Sequence, residues 1–140
     1  MSARLLLRIA AGVFLLGAVG HTLGFLTFLP PTAEGQAVFT AMNAVHFTIG
    51  STTYSYGNFY RGFGLAITVS QLFSAWLLWM TAQWSIEAPK PVRAIAWALC
   101  TVQIVSVGLA LVYFSAPPAV LSALAAILLA IAASRLKQNA

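Results

Sequence analysis

Four long apolar runs, separated by short polar segments, set the hydrophobic pattern of this 140-residue chain. They predict helices over about residues 5–29, 60–80, 92–114 and 117–135. Each is about as long as the roughly 20 residues that a helix needs to cross a hydrocarbon core of about 30 Å. The pattern therefore predicts an all-α fold, a bundle of four transmembrane helices that forms one domain over residues 1–140.

A weaker pattern lies between the first two runs. Four apolar residues fall within about 60° of one another on a helical wheel, with polar residues opposite. They are Val38, Met42, Val45 and Ile49. This predicts an amphipathic helix over about residues 35–49 on the outer side, which lies in the membrane interface or caps the bundle as a lid. A surface helix with no ligand beneath it explains the pattern equally well.

The composition places the chain in the membrane. Hydrophobic residues make up 61% of it, charged residues 6%, and the mean hydropathy is +0.91, whereas globular proteins carry about 25% charged residues. Arg4 and Arg8 ahead of an apolar core, with small residues at 18–20, would also fit a signal peptide. The apolar character continues to Leu29, so we predict a retained first helix.

Basic residues predict the orientation, because Lys and Arg near helix ends stay on the cytoplasmic side. With four crossings, only Arg61 falls toward the outer side. The other six fall together: Arg4, Arg8, Lys90, Arg93, Arg135 and Lys137. Both termini are therefore predicted to be cytoplasmic. The net charge of +5 then follows from topology, and no nucleic-acid partner is expected.

Polar residues on three helices predict one site in the outer half of the bundle. His21 lies at the edge of a glycine-rich face of the first helix, so it is expected to point inward. An ionisable group there indicates function, while a neutral histidine that hydrogen-bonds between helices explains it equally well. The predicted polar ring comprises His21, Asn58, Arg61, Gln71 and Gln103. The residues predicted to line or cover it are Tyr54, Tyr56, Tyr60, Met42 and His46.

Arg61 stands at the start of the second helix, against the charge bias, and has three interpretations. It snorkels to lipid headgroups, it pairs with Glu34 or helix-terminal carbonyls, or its planar fork binds an anionic or carbonyl-bearing ligand.

The apolar runs contain no Asp, Glu or Lys, which excludes a carboxylate dyad or a Schiff-base lysine in the bundle. Acid–base chemistry would fall to His21, and whether any reaction is catalysed stays open. The single cysteine, Cys100, allows no internal disulfide. His21, His46 and Glu34 lack a metal-site spacing, so neither a metal nor a cofactor is predicted.

The fourth helix carries alanines at heptad spacing, a seam of small residues that allows close packing. They are Ala119, Ala123, Ala126, Ala130 and Ala133. This alanine seam predicts either a scaffold within the bundle or an interface to a second copy or a membrane-complex partner.

Two motifs carry a family resemblance: "GHTLG" at residues 20–24 and "SYGNFYRGFGL" at residues 55–65. They resemble motifs of small bacterial integral membrane proteins with four helices, broadly DoxX-like in layout. The resemblance implies a four-helix fold in the bacterial inner membrane and no particular activity. The layout is more loosely similar to the sterol-isomerase and sigma-2-receptor superfamily. Those isomerases rely on acidic residues within the bundle, which the apolar runs here lack.

Two functions follow as hypotheses. The first is a pocket that binds a membrane lipid or another lipophilic molecule with a polar head, with His21 as the candidate for catalysis. The second is an accessory or structural subunit whose polar groups only hold helices together, docked through the alanine seam.

Overall fold

A computed structural model describes residues 1–136. In that part of the chain it contains five α-helices and one antiparallel pair of strands. The elements are α1 (Ala3–Thr27), α2 (Ala33–Ala44), β1 (His46–Ile49), β2 (Thr52–Ser55), α3 (Tyr56–Trp84), α4 (Pro89–Tyr113) and α5 (Ala116–Arg135). Helices α1, α3, α4 and α5 are long and apolar enough to cross a membrane. The predicted all-α class with four such helices is confirmed, as expected for an integral membrane protein.

Helix α3 begins four residues before its predicted start, at Tyr56. The side chain of Ser55 caps it, because the Ser55 Oγ accepts a hydrogen bond from the backbone N–H of Asn58 at 3.1 Å. Arg135 belongs to the last turn of α5. Lys137, which completed the predicted count of cytoplasmic charges, lies outside the described residues.

The chain divides into two compact units. Unit 1 contains Met1–Gly17 and Gln71–Ala140, and unit 2 contains Ala18–Ser70. The apolar core of unit 1 takes residues from α1, α3, α4 and α5, and Leu7, Leu78 and Leu129 are completely buried in it. Lipid tails are as apolar as these side chains, so close packing contributes more to this core than exclusion of water does.

The alanine seam of α5 packs against other parts of the same chain. Ala126 and Ala133 belong to the buried core of unit 1, and Ala119 is also buried. Helix α4 packs along α5, and the Cys100 thiol donates a hydrogen bond to the carbonyl of Ala126 at 3.4 Å. This packing favours the scaffold interpretation of the seam.

In unit 2 the predicted helix over 35–49 is wrong at its C-terminal end. Helix α2 starts at Ala33, two residues before the predicted start, with Thr32 as its N-cap, and it ends at Ala44. Residues 46–49 instead form β1, which pairs with β2 so that His46 lies opposite Ser55. Gly50 has a φ of 61°, which two-residue hairpin turns require and glycine adopts without steric cost.

The predicted apolar face of α2 is also wrong. Val38 is 58% exposed, and Val45 and Ile49 lie beyond the helix. The half-buried positions of α2 are Gly35, Phe39 and Met42. Phe39 rather than Val38 determines the inner face, because its ring packs edge-on against Phe28 at 6.0 Å and against Tyr60 at 6.3 Å.

Candidate ligand-binding site

Two hydrogen bonds join α1 to α3 in unit 2. The Nε2–H of His21 donates to the backbone carbonyl of Gly64 at 3.0 Å. The Thr22 hydroxyl donates to the carbonyl of Ala18 at 2.7 Å, so the hydroxyl of Thr68 is the donor in its 2.8 Å bond to Thr22. All three side chains are half-buried. Contacts of this kind are the usual polar links between transmembrane helices, and this one favours the interpretation of His21 as a histidine that hydrogen-bonds between helices.

The ring of Phe25 lies over Gly64. A Cβ atom at Gly64 would overlap that ring, so only glycine allows this approach of α1 to α3. Phe25 stacks on His21 at 5.7 Å with an interplanar angle of 8°, and it meets Tyr60 at 5.2 Å. The histidine, the phenylalanine and the glycine form one packed joint, which we call the Phe25 joint.

A second aromatic group surrounds Phe47, on the hairpin. Phe47 contacts Tyr54 at 6.1 Å, Tyr56 at 4.8 Å and Phe59 at 5.6 Å. Phe59 in turn contacts Phe63 at 4.9 Å. This aromatic group fixes the hairpin to the first turns of α3. Its tyrosines keep much of their surface exposed, 39% for Tyr54 and 51% for Tyr56.

Asn58 and Arg61 lie on the same side of α3, one turn apart, and both are exposed. Among residues 1–136, the guanidinium of Arg61 forms no hydrogen bond, and no ion pair joins it to Glu34. The side-chain amide of Asn58 likewise has no partner in that range, since only its backbone N–H is bonded. These two side chains present up to seven N–H donors and one acceptor for a bound group.

The other predicted site residues divide between the two units. Tyr60 is 45% exposed in unit 2, Met42 is half-buried, and His46 is exposed with its Nδ1–H donating to the carbonyl of Ala44 at 2.7 Å. Gln71 and Gln103 belong to unit 1. Gln71 Oε1 is buried without a donor in the described chain and lies 3.1 Å from where a Cβ at Gly17 would stand.

Phe25 and Phe39 are not among the site residues predicted from the sequence. Each looks like an ordinary apolar residue of its helix, although the four-residue spacing of His21 and Phe25 would have placed both on one face. In the described range, no three side chains of His, Cys, Asp or Glu come together as a metal site would require.

Searches of protein-family models, curated proteins and solved structures found no match to this chain.

Proposed function

We propose that this small integral membrane protein binds a lipophilic ligand with a polar, anionic or carbonyl-bearing head at the start of α3. One observation carries the proposal: Arg61 and Asn58 project from one side of an apolar helix, exposed and without partners in the described chain. We call this pair and the apolar surface on the same face of the helix the α3 threshold site.

A guanidinium beside apolar surface needs an acceptor, because an unpaired charge in a medium of low dielectric is costly. Arg61 has a planar fork that fits a carboxylate, phosphate or carbonyl oxygen with two parallel hydrogen bonds. Asn58 lies one turn earlier and adds donors to the same head. An oxygen-rich head group satisfies both side chains.

The tail of the ligand would lie along exposed apolar side chains on the same face of α3. Leu65 is 45% exposed and Val69 64%. On a helical wheel both fall within about 80° of Arg61, whereas Phe59 and Phe63 fall on the opposite side of the helix.

We further propose that the termini are cytoplasmic, so that the α3 threshold site opens to the outer leaflet of the bacterial inner membrane. The support is the charge distribution: basic residues flank the ends of α1, α4 and α5 that lie near the termini and the α3–α4 connection. Arg61 would then be the one basic residue on the outer side, and it lies there because it binds the head of the ligand.

His21 has a structural role in this proposal. Its Nε2–H is occupied by the Gly64 carbonyl, which leaves Nδ1 as the only ring atom that could accept a proton in a reaction.

Met42, Tyr60 and the α2–hairpin segment would cover the site from the side of the connection between α1 and α3. Gln71 and Gln103 are left out of the proposed site.

We expect an Arg61→Gln variant to lose the ligand. Removing one charge-assisted pair of hydrogen bonds should lower retention about tenfold. The measurement is native mass spectrometry of protein purified in mild detergent, together with extraction of the retained lipids. Arg93→Gln, which removes the same charge from unit 1, is the matched control and should retain the ligand as the wild type does.

The hydrogen bonds of His21 and Thr22 favour a second function, that of an accessory subunit whose polar groups only join helices. This alternative predicts that the wild type retains no ligand and purifies only within a larger assembly. Equal retention by the wild type and the Arg61→Gln variant would also overturn the binding proposal.

A further inference from the structure

A surface cavity of about 330 Å³ lies in unit 1, where three parts of the chain meet. They are the start of α1, the α3–α4 connection and the end of α5. Its lining includes Ser2, Arg4, Ser85, Ile86, Arg135 and Leu136. None of the residues proposed for the α3 threshold site takes part in it.

Two guanidinium groups line the cavity, and none of the lining residues is acidic. Arg4 is held by one bond, from its Nη2–H to the Oε1 of Gln83 at 2.7 Å. Its Nε is buried and has no acceptor in the described chain. Arg135 donates through Nη1 to the carbonyl of Met1. Because a guanidinium has five N–H donors, both side chains keep donors for a further group.

Other donors point to the same chemistry. The Oγ of Ser2 accepts a hydrogen bond from the N–H of Leu5 at 3.3 Å, which leaves the hydroxyl proton of Ser2 for another acceptor. The first residues of two helices, Ala3 of α1 and Pro89 of α4, are part of the lining. Helix N-termini carry partial positive charge, so they add to the attraction of an anion.

The nearest acidic residue in sequence does not neutralise the cavity. Glu87 is exposed, lies outside the lining and forms no ion pair with Arg4 or Arg135 in the described chain. Apolar surface lies beside the cavity instead, since Ile86 is 75% exposed and Trp84 45%. A lipid headgroup or a soluble anion could both reach such a site.

We propose that this cavity binds a phosphate group through Arg4, Arg135 and Ser2. The bidentate geometry of arginine fits phosphate oxygens, and two arginines together balance the charge of a phosphodiester or a phosphate monoester. The group is carried either by the head of an anionic phospholipid or by a free phosphate. This cavity site is independent of the α3 threshold site.

The test uses two probes on the purified full chain. Inorganic phosphate is titrated in detergent, and binding is followed as a rise in the midpoint of thermal unfolding. In parallel, the protein is reconstituted into phosphatidylcholine nanodiscs with and without phosphatidylglycerol, and retained phosphatidylglycerol is counted by native mass spectrometry. The variants are Arg4→Gln/Arg135→Gln and, as the control with equal charge removed outside the lining, Lys90→Gln/Arg93→Gln.

We expect the wild type and the control to bind at least one probe, and the Arg4→Gln/Arg135→Gln variant to bind it about tenfold more weakly or less. Phosphate binding identifies a free anion as the source, and binding of phosphatidylglycerol alone identifies a headgroup. If the double variant does not fold, Arg4→Lys and Arg135→Lys keep the charge and should still weaken binding, because they lose the planar fork.

Three results would overturn the proposal. They are no binding of either probe by the wild type, unchanged binding by the cavity variants, and equal losses in the cavity and control variants, which would reflect net charge alone. Arg61→Gln should leave the binding of inorganic phosphate unchanged, because Arg61 does not line the cavity. The phosphatidylglycerol counts are compared in the Arg61→Gln background, which removes the threshold site, so failure of the cavity proposal and failure of the threshold site are distinguishable.

Discussion

Replacing Gly64 with alanine should destabilise the protein by about 1–3 kcal/mol, the usual cost of overpacking a close contact. The new methyl group would overlap the ring of Phe25. That ring cannot move away freely, because it stacks on His21 and meets Tyr60. The measurement is the free energy of unfolding in detergent, from denaturant titration.

Gly62→Ala is the matched control for this substitution. A Cβ at Gly62 has open space around it, and alanine is the better helix former by up to about 1 kcal/mol, so this variant should be neutral or more stable. Phe25→Ala should relieve the overlap, so Gly64→Ala should cost less in that background. If Gly64→Ala and Gly62→Ala behave alike, the Phe25 joint is not as described.

Leu129→Ala should cost about 2–5 kcal/mol of unfolding free energy. Leu129 is completely buried in the core of unit 1, and its truncation leaves a cavity that neighbouring helices can fill only in part. The loss is one of packing contacts, which persist in detergent or lipid where exclusion of water from apolar surface contributes little.

The same substitution at Leu124, on the same helix, serves as its control. Leu124 is 43% exposed, so alanine there removes few contacts within the chain and should change the unfolding free energy by less than about 1 kcal/mol. Comparable losses at both positions would mean that the core of unit 1 does not lie where the burial of Leu129 indicates.

The four long helices could be predicted because the bilayer imposes one strong condition on sequence. A spanning segment must satisfy its own backbone hydrogen bonds and stay apolar for about 20 residues, and both demands produce long uninterrupted runs. The residues at which each helix begins and ends are harder to predict from the sequence. Tyr56 and Asn58 look like interfacial residues, yet the cap by Ser55 brings both into α3.

The hairpin was missed because a short segment fits two periodicities. Val45 and Ile49 continue the helical spacing from Val38, and this hid the β-branched residues and the Gly50–Ser51 turn that favour paired strands. The tertiary contacts of Phe47 favour paired strands over a longer helix, since its ring packs against Tyr54 of the facing strand and Phe59 of α3.

The candidate site could be predicted only where its residues share one helix. The three-residue spacing of Asn58 and Arg61 fixes them to one side of α3. The partner of His21 could not be predicted, because it is a backbone carbonyl and every residue has one. Gln71 was included in the predicted polar ring because of its helical spacing alone. Its side chain lies beside Gly17 of α1, and a contact between two helices could not be predicted from the spacing within one.

Photo-crosslinking tests the α3 threshold site most directly. The protein is reconstituted with a phospholipid that carries a photoactivatable group near its head, irradiated, digested and mapped by mass spectrometry. We expect labelling of residues 54–65 that is lost in Arg61→Gln and kept in Arg93→Gln, separate from any labelling at the cavity of Arg4 and Arg135. Labelling spread evenly over the exposed apolar faces of α1, α4 and α5, or unchanged in Arg61→Gln, would contradict it.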